Sequence, residues 1–347
     1  VDGAGGMSGI TEDPEFRALA LYSARIGADS ALVQGAGGNT SLKRAGILWV
    51  KASGTWLRDA ACRPIMVPVR LAPLLAALAA GDPRAETARD FVVDADNPGG
   101  LRPSIETTLH AALPHRVVVH VHCIETIAWA AREDSERALA RPLAGLDWAF
   151  IPYIRPGPPL TRAIMARLRP ATNILVLGNH GLVVGAEDTA AAAALIATVA
   201  ARLRLVPRLA PPADTAALAR LAAGSAYDLA APDIHAIATD PLALAVARLG
   251  SFYPDHVIFL GPGIVEVAPD APLPREGPAP PMLVVPGQGV LLRRDAAPGV
   301  AALARCLADV TARLDPALPL RPLRAAEEQA LMNWEAEHYR RTLAARP

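Results

Sequence analysis

The chain has 347 residues, 52% hydrophobic and 20% charged, with 34 basic and 34 acidic side chains and a formal net charge of zero. This composition excludes a chain disordered throughout and offers neither a basic excess for nucleic acid nor a charged tail for a membrane surface. The length accommodates one large core or two domains, and three widely spaced cysteines, Cys62, Cys123 and Cys306, fit a reducing compartment better than a disulfide scaffold.

Residues 1–12 read as a flexible N-terminus. They lack the basic and apolar regions of a signal peptide, so a cytoplasmic location is expected. A first helix is expected over 13–30, with Phe16, Leu19, Leu21 and Ile26 among its apolar positions. The glycines of GAGGN (35–39) break that pattern, and GILWVKASG (46–54) follows as a strand, so the two together read as a hairpin with glycine-rich turns. A helix over 70–80 ends at GDP. The stretch 94–104 is a loop, since Pro103 disfavours helix at the residues before it, and a helix starts near Ser104 and runs through His110.

Residues 117–122, VVVHVH, form the clearest strand. Side chains alternate faces, so Val117, Val119 and Val121 share one face, and Val118, His120 and His122 the other. A helix over 124–132, a proline-rich loop over 151–160 and a strand over 174–177 come next, and Asn179-His180-Gly181 turns that strand into 182–184. Asp188 caps a long alanine-rich helix, which is too short and too closely bracketed by charge to be a membrane span. The alternation of strands and helices predicts an α/β layered domain with a partly antiparallel sheet. After a proline-bearing linker at 206–216, helices are expected over 213–223, 297–313 and 324–343. Strands are expected over 256–261, 282–287 and 289–294, the last two as a hairpin.

Chemistry concentrates in the histidines. His120 and His122 form a two-toothed clamp on one strand face, and His180 projects at a strand end beside a glycine. Three imidazoles and an open position are a common catalytic metal site, although two histidines in a sheet are equally explained as satisfied structural residues. His110 and His115 are nearer in sequence, but one is on a helix and the other on a turn. Glu106, one segment upstream, is a candidate acid/base. Its plainer role is a first-turn glutamate stabilising a helix end. Glu125, directly after the strand, is its rival. Gly35, Gly37, Gly38 and Asn39 form a turn whose backbone N–H groups could cradle an anion, and Ser53, Gly54, Thr55 and Ser104 could add donors. Ordinary turn chemistry explains each of these as well. The spacing matches neither the dinucleotide fingerprint nor the P-loop.

Five motifs in this order, GAGGNTSLK (35–43), LWVKASG (48–54), PSIETTLH (103–110), VVVHVHCIETIAWA (117–130) and ILVLGNHGLVVGA (174–186), resemble the class II aldolase/adducin head-domain family over roughly residues 14–205. Three later motifs, YIRPGPPLTRAI (153–164), FYPDHVIFLGPG (252–263) and NWEAEHYR (333–340), look like longer members, the aldolase portion of bifunctional rhamnulose-phosphate aldolase/alcohol dehydrogenase proteins. No nucleotide fingerprint accompanies them, and no redox chemistry is expected.

The resemblance implies a class II aldolase-like three-layer α/β domain over 13–205, with a mostly antiparallel central sheet flanked by helices. After the linker 206–216, a smaller C-terminal α+β extension occupies 217–347. It further implies that His120, His122 and His180 hold zinc, manganese or another divalent metal, and that Glu106 is the catalytic glutamate. Gly38, Asn39, Ser53, Gly54 and Ser104 would bind phosphate. Where relatives carry a second serine this chain has Ile105, which removes a hydroxyl donor. Related 4-epimerases carry aspartate in place of Glu106, and adducin-like heads lack the histidines. The implied reaction is reversible aldol cleavage of a ketose 1-phosphate to dihydroxyacetone phosphate and an aldehyde. A second acid/base, Tyr339 with Glu335 behind it, would serve the leaving aldehyde. A homotetramer acting on a small sugar phosphate, with no nucleic-acid or membrane partner, is the expected form. The alternatives are a sugar-acid-phosphate decarboxylase or epimerase on the same metal site, and a non-catalytic adducin-like interaction module.

Overall fold

The computed structural model describes residues 7–334, and its contacts divide into two compact units. One comprises the chain up to Cys123 together with Pro142–Arg202, and the other comprises Ile124–Arg141 together with the chain from Leu203 onward.

The first unit is built on a seven-stranded sheet. Its strands are β1 (Asn39–Arg44), β2 (Ile47–Lys51), β3 (Met66–Arg70), β4 (Val117–Val121), β5 (Trp148–Ile151), β6 (Ile174–Leu177) and β7 (Gly181–Ala186). They lie in the order β3-β2-β1-β4-β7-β6-β5. All pairs are antiparallel except β5 with β6. The β1–β2 hairpin closes through Ala45 and Gly46, both at positive φ (49° and 77°), the mirror-image turn whose twist suits adjacent strands. β4 is buried along its whole length, as a central strand covered on both faces must be. Helices Pro14–Gly27 and Thr189–Arg202 pack together against β1, β4 and β7, while Leu71–Ala80, Thr107–Ala112 and Pro158–Met165 form a second helical layer. The three-layer domain with a mixed, mostly antiparallel sheet expected from the sequence is therefore the observed one.

Two apolar clusters fix which way β2 and β4 face. Leu48, Val50 and Ala52 pack with Val67, Val69, Leu74 and Ala111. Val118 packs with Leu109, Leu160, Ile164 and Val183. By strand alternation Trp49, Lys51 and Ser53 turn away from the first cluster, and His120 shares the Val118 face, the one covered by helix Thr107–Ala112.

The second unit carries a three-stranded antiparallel sheet, β8 (Tyr227–Leu229), β9 (Met282–Val285) and β10 (Gly289–Arg293), in the order β8-β10-β9. Leu218 of helix Thr215–Ala222 packs on Tyr227, Leu283, Val285 and Leu291. The β9–β10 hairpin matches the expected one. The expected strand over 256–261 is instead helix Pro254–Leu260. Pro254 starts it with a fixed φ and no N–H to leave unpaired, and Gly261 at φ 90° ends it. Every residue of that helix is buried, so its sequence shows no amphipathic period, and a short apolar run of this kind reads equally as strand or helix. Of the helix expected over 324–343, Ala325–Met332 is helical, and residues beyond 334 lie outside the described residues. Among the described residues no helix is long and apolar enough to cross a membrane.

Candidate metal centre

Three segments of the first unit converge on one buried point. His120 lies within β4, His122 just beyond its end, and His180 in the three-residue connection between β6 and β7. One ring nitrogen from each lies within 4.8 Å of the other two. The ring centroids are 4.9, 4.9 and 5.2 Å apart, with the planes steeply inclined to one another.

The backbone makes this convergence possible. Asn179 sits at φ 52°, a left-handed conformation that asparagine tolerates better than most residues. Beside it, a Cβ on Gly181 would run into the Val121 carbonyl oxygen and lie 3.3 Å from His122 Cα. Only glycine lets β7 close this tightly on the end of β4, and that closure brings His180 to the other two imidazoles.

His120 Nδ1 lies 3.0 Å from the Leu182 carbonyl oxygen. A carbonyl only accepts, so Nδ1 carries the proton and Nε2 turns a lone pair inward. This is the outer hydrogen bond that commonly orients a metal-ligating histidine. His122 Nε2 is 3.1 Å from His120 Nε2. The Glu106 carboxylate spans the cluster, with Oε2 3.4 Å from His120 Nε2 and Oε1 3.5 Å from His180 Nε2. Three inward imidazoles and a carboxylate, all buried, form a donor set suited to a divalent cation and poorly suited to each other without one. The residues therefore fit a metal ion. Three imidazoles accommodate several transition metals.

Glu106 stands at the N-cap position of helix Thr107–Ala112, and its side chain makes no capping hydrogen bond there. Its Oε2 accepts a 2.7 Å hydrogen bond from Asn39 Nδ2, and its backbone N–H donates to Ser104 Oγ at 3.2 Å. Burial alone would raise the pKa of this carboxyl. The imidazoles of His120, His180, His122 and His110 outweigh that and hold it below the ordinary carboxylate range. His110, one turn further along, is fully buried, with Nδ1 2.8 Å from Ser41 Oγ. Burial pushes its pKa down to about 3, with Glu106 opposing, so its ring is neutral near pH 7.

The other residues singled out in the sequence lie around this point or away from it. Gly38, at φ 64°, is packed so that a Cβ would meet the His120 carbonyl oxygen at 3.0 Å. Asn39 pairs with His120 across β1 and β4, and its side-chain amide is engaged by Glu106. Ser53 and Ser104 are buried, and Gly54 takes φ 75°. Thr55 donates from its hydroxyl to the Ala52 carbonyl. Ile105 is half-buried between Ser104 and Glu106. Glu125 belongs to the second unit, where Arg313 Nε lies 3.5 Å from its carboxylate. His115 is partly buried against Gly185. Tyr339 and Glu335 lie outside the described residues.

Lys51 is a residue the motif reading passed over. It is 1% exposed, and Nζ donates to the carbonyls of Ala36 (2.7 Å) and Gly38 (2.9 Å), fastening the glycine turn from beneath. A lysine inside the apolar run LWVKASG was its signal. Gln34 was also missed; its Nε2 donates to the His122 carbonyl at 3.2 Å and so ties the start of the same turn to the end of β4.

Residues 18–206 match the class II aldolase and adducin N-terminal domain family. Among curated proteins, an uncharacterized oxidoreductase of Bacillus subtilis strain 168, YuxG, is 29% identical over 186 residues, 49% of this chain and 26% of that protein, so the match spans a minor part of the relative's length. Among solved structures, the N-terminal class II aldolase domain of a conserved protein from Thermoplasma acidophilum is 28% identical with a TM-score of 0.46, covering 55% of this chain and 92% of that one. An aldolase II superfamily protein from Pseudomonas syringae is 18% identical with a TM-score of 0.42, covering 56% and 76%. Because the family match takes in all seven strands of the sheet and all three imidazoles, the chain belongs to the class II aldolase and adducin N-terminal domain family.

Proposed function

We propose that the protein is a metal-dependent carbon–carbon lyase that cleaves a ketose 1-phosphate reversibly to dihydroxyacetone phosphate and an aldehyde. The observation that carries this reading is the Glu106 carboxylate lying within 3.5 Å of two of the three clustered imidazoles. Such a group is poised to move a proton on a substrate held at that point. Family membership and the glutamate at this position, rather than aspartate, favour aldol chemistry over epimerisation.

In this reading His120, His122 and His180 hold zinc or manganese, which when bound supplies a Lewis acid for charge developing on the substrate oxygens. The other roles belong to the chain. Glu106 stays ionised and takes or returns the proton on the carbon that becomes nucleophilic, while Asn39 holds the carboxylate in its orientation. Gly38, Asn39, Ser53, Gly54 and Ser104 seat the phosphate, Asn39 through its backbone because its amide is committed. Apolar β4 and the packed turn around Gly38 keep water from the reacting atoms. The leaving aldehyde oxygen needs a second acid/base, and Tyr339 is the residue proposed, with Glu335 as the second choice. A homotetramer in the cytoplasm, acting on a small sugar phosphate, is part of the same proposal.

The test is release of dihydroxyacetone phosphate by metal-replete protein from a panel of ketose 1-phosphates. Release that disappears on chelation, and in His122→Ala, is the expected result. No release from any sugar by protein with metal bound would overturn the aldol reading. Ile105, which offers no hydroxyl beside Ser104, would then favour the decarboxylase or epimerase alternative, with the substrate held in a different pose.

A further inference from the structure

One face of β1 holds the segment that carries Glu106. Side chains two apart on a strand share a face, so Asn39, Ser41 and Lys43 form one row. Thr40, between them, turns the other way, with Oγ1 2.8 Å from Ser23 Oγ. Each member of the row grips a successive point of helix Thr107–Ala112 and its exit. Asn39 Nδ2 donates to Glu106 Oε2 at 2.7 Å, Ser41 Oγ lies 2.8 Å from His110 Nδ1, and Lys43 Nζ donates to the carbonyls of Leu113 and His115. The first two rungs are commensurate, since two strand residues advance about 6.8 Å and four helical residues rise about 6 Å. Glu106 and His110 therefore reach β1 together only when the helix sits at one height and one rotation.

The middle rung fixes the rotation. His110 is fully buried, and its other ring nitrogen, Nε2, has no hydrogen-bond partner among the described residues. Ser41 is thus the polar anchor of that ring. Without it the ring would be buried with neither nitrogen satisfied, a cost the helix relieves by turning. Glu106 would then be tied to β1 by Asn39 alone, a single point about which the carboxylate can swing. Thr108 lies two residues from both Glu106 and His110 and so on the far side of the helix, where its Oγ1 is 2.8 Å from Thr161 Oγ1. That bond fastens the same helix from the side away from β1.

We infer that Ser41 and His110 are positioning residues, whose contact sets the rotation of helix Thr107–Ala112 and thereby the direction from which the Glu106 carboxylate meets the three imidazoles. The inference rests on the proposed function only for its kinetic readout.

The test compares crystal structures of the zinc-loaded parent, Ser41→Ala and Thr108→Val. Both substitutions remove one buried hydroxyl that anchors the same helix, and both are expected to lower the melting temperature. In Ser41→Ala the Glu106 carboxylate should move by about 1 Å or more relative to the three imidazoles, and in Thr108→Val it should stay in place. The maximal rate of solvent exchange of the carbon-bound proton of dihydroxyacetone phosphate should fall about ten- to a hundredfold in Ser41→Ala, the worth of such a misplacement. The half-saturating concentration and the zinc content should not change, and Thr108→Val should exchange at the parent rate. His110→Phe keeps a ring without the nitrogens; it should behave as Ser41→Ala does, and it decides the question if Ser41→Ala does not fold. A carboxylate that superposes on the parent's in a folded Ser41→Ala or His110→Phe protein overturns the inference. So does an equal displacement in Thr108→Val, which would make Glu106 sensitive to any loosening of the helix. A parent that exchanges no proton counts against the lyase reading alone, because the carboxylate positions still decide this one.

Discussion

At the scale of single residues, Glu106 is buried and held through one of its two carboxylate oxygens. Asn39 holds one carboxylate oxygen at 2.7 Å, and the other oxygen lies 3.5 Å from His180 Nε2. If its role is proton transfer, Glu106→Gln should keep the zinc, because three imidazoles remain, and keep the Asn39 contact, because an amide oxygen still accepts. Solvent exchange of the carbon-bound proton of dihydroxyacetone phosphate should slow by about 10²–10⁴-fold, the usual worth of a positioned base. Exchange at the parent rate in a zinc-loaded variant would remove Glu106 from the mechanism. The imidazole pair of β4 was legible because alternation along a strand is a local rule. His180 was not legible from spacing, because nothing near it in sequence says that β7 returns beside β4. The Asn39–Glu106 bond joins residues 67 positions apart. Without it Asn39 reads only as part of an anion turn, and the pairing appears once β1 lies against β4.

At the scale of elements, the site depends on how closely one hairpin approaches its neighbour. A methyl at Gly181 would collide with the Val121 carbonyl and crowd His122 Cα, and both are backbone atoms that cannot rotate away. Gly181→Ala should therefore lower stability by about 1–3 kcal/mol, the usual cost of overpacking, and should weaken zinc binding as well, since the strain falls between two ligands. Gly99→Ala is the control, because there the nearest atom to the new methyl is a side-chain carbon 3.7 Å away. Equal melting temperatures and zinc affinities for the two variants would show that the approach can relax. Elements with strong local signals were readable from the sequence. The β1–β2 hairpin had its glycine, helix Thr189–Arg202 had Asp188 before it, and the β9–β10 hairpin had a glycine-bearing loop between two apolar runs. Helix Pro254–Leu260 was misread because burial on all sides erases the period that separates helix from strand. β3 and β8 escaped notice because a proline inside MVPVR and the shortness of YDL hide their pairing, which comes from neighbours distant in sequence.

At the scale of the whole molecule, each unit buries a histidine that resists protonation, and each adds a pH-dependent contribution to stability. His110 in the first unit is held to about 3. In the second unit burial lowers His256 to about 4, although its Nε2 donates to the Gly263 carbonyl at 2.8 Å, which favours the charged form. A histidine in the unfolded chain titrates near 6.5. As pH falls below that value the unfolded state takes up the proton first, and the folded state follows only near pH 4 or 3. The stability associated with keeping these rings neutral is complete above about pH 6.5. It declines as pH falls toward 4 for His256 and toward 3 for His110. Across its window His256 contributes about 2–3 kcal/mol of pH-dependent stability. Because acid also competes with metal for imidazole ligands, the measurement belongs on metal-free protein, with urea unfolding followed from pH 7.5 to 4.5. His256 makes the cleaner test, since it lies in the unit that does not hold the three clustered imidazoles. The parent should lose about 2–3 kcal/mol more over that range than His256→Gln, whose side chain can still donate to Gly263 but has nothing to titrate. The difference in slope, rather than the absolute stability, carries the argument, because glutamine changes packing equally at both pH values. Parallel curves for the two proteins would mean that His256 takes up its proton in the folded state near its ordinary pKa, and that the acid response of the second unit has another source.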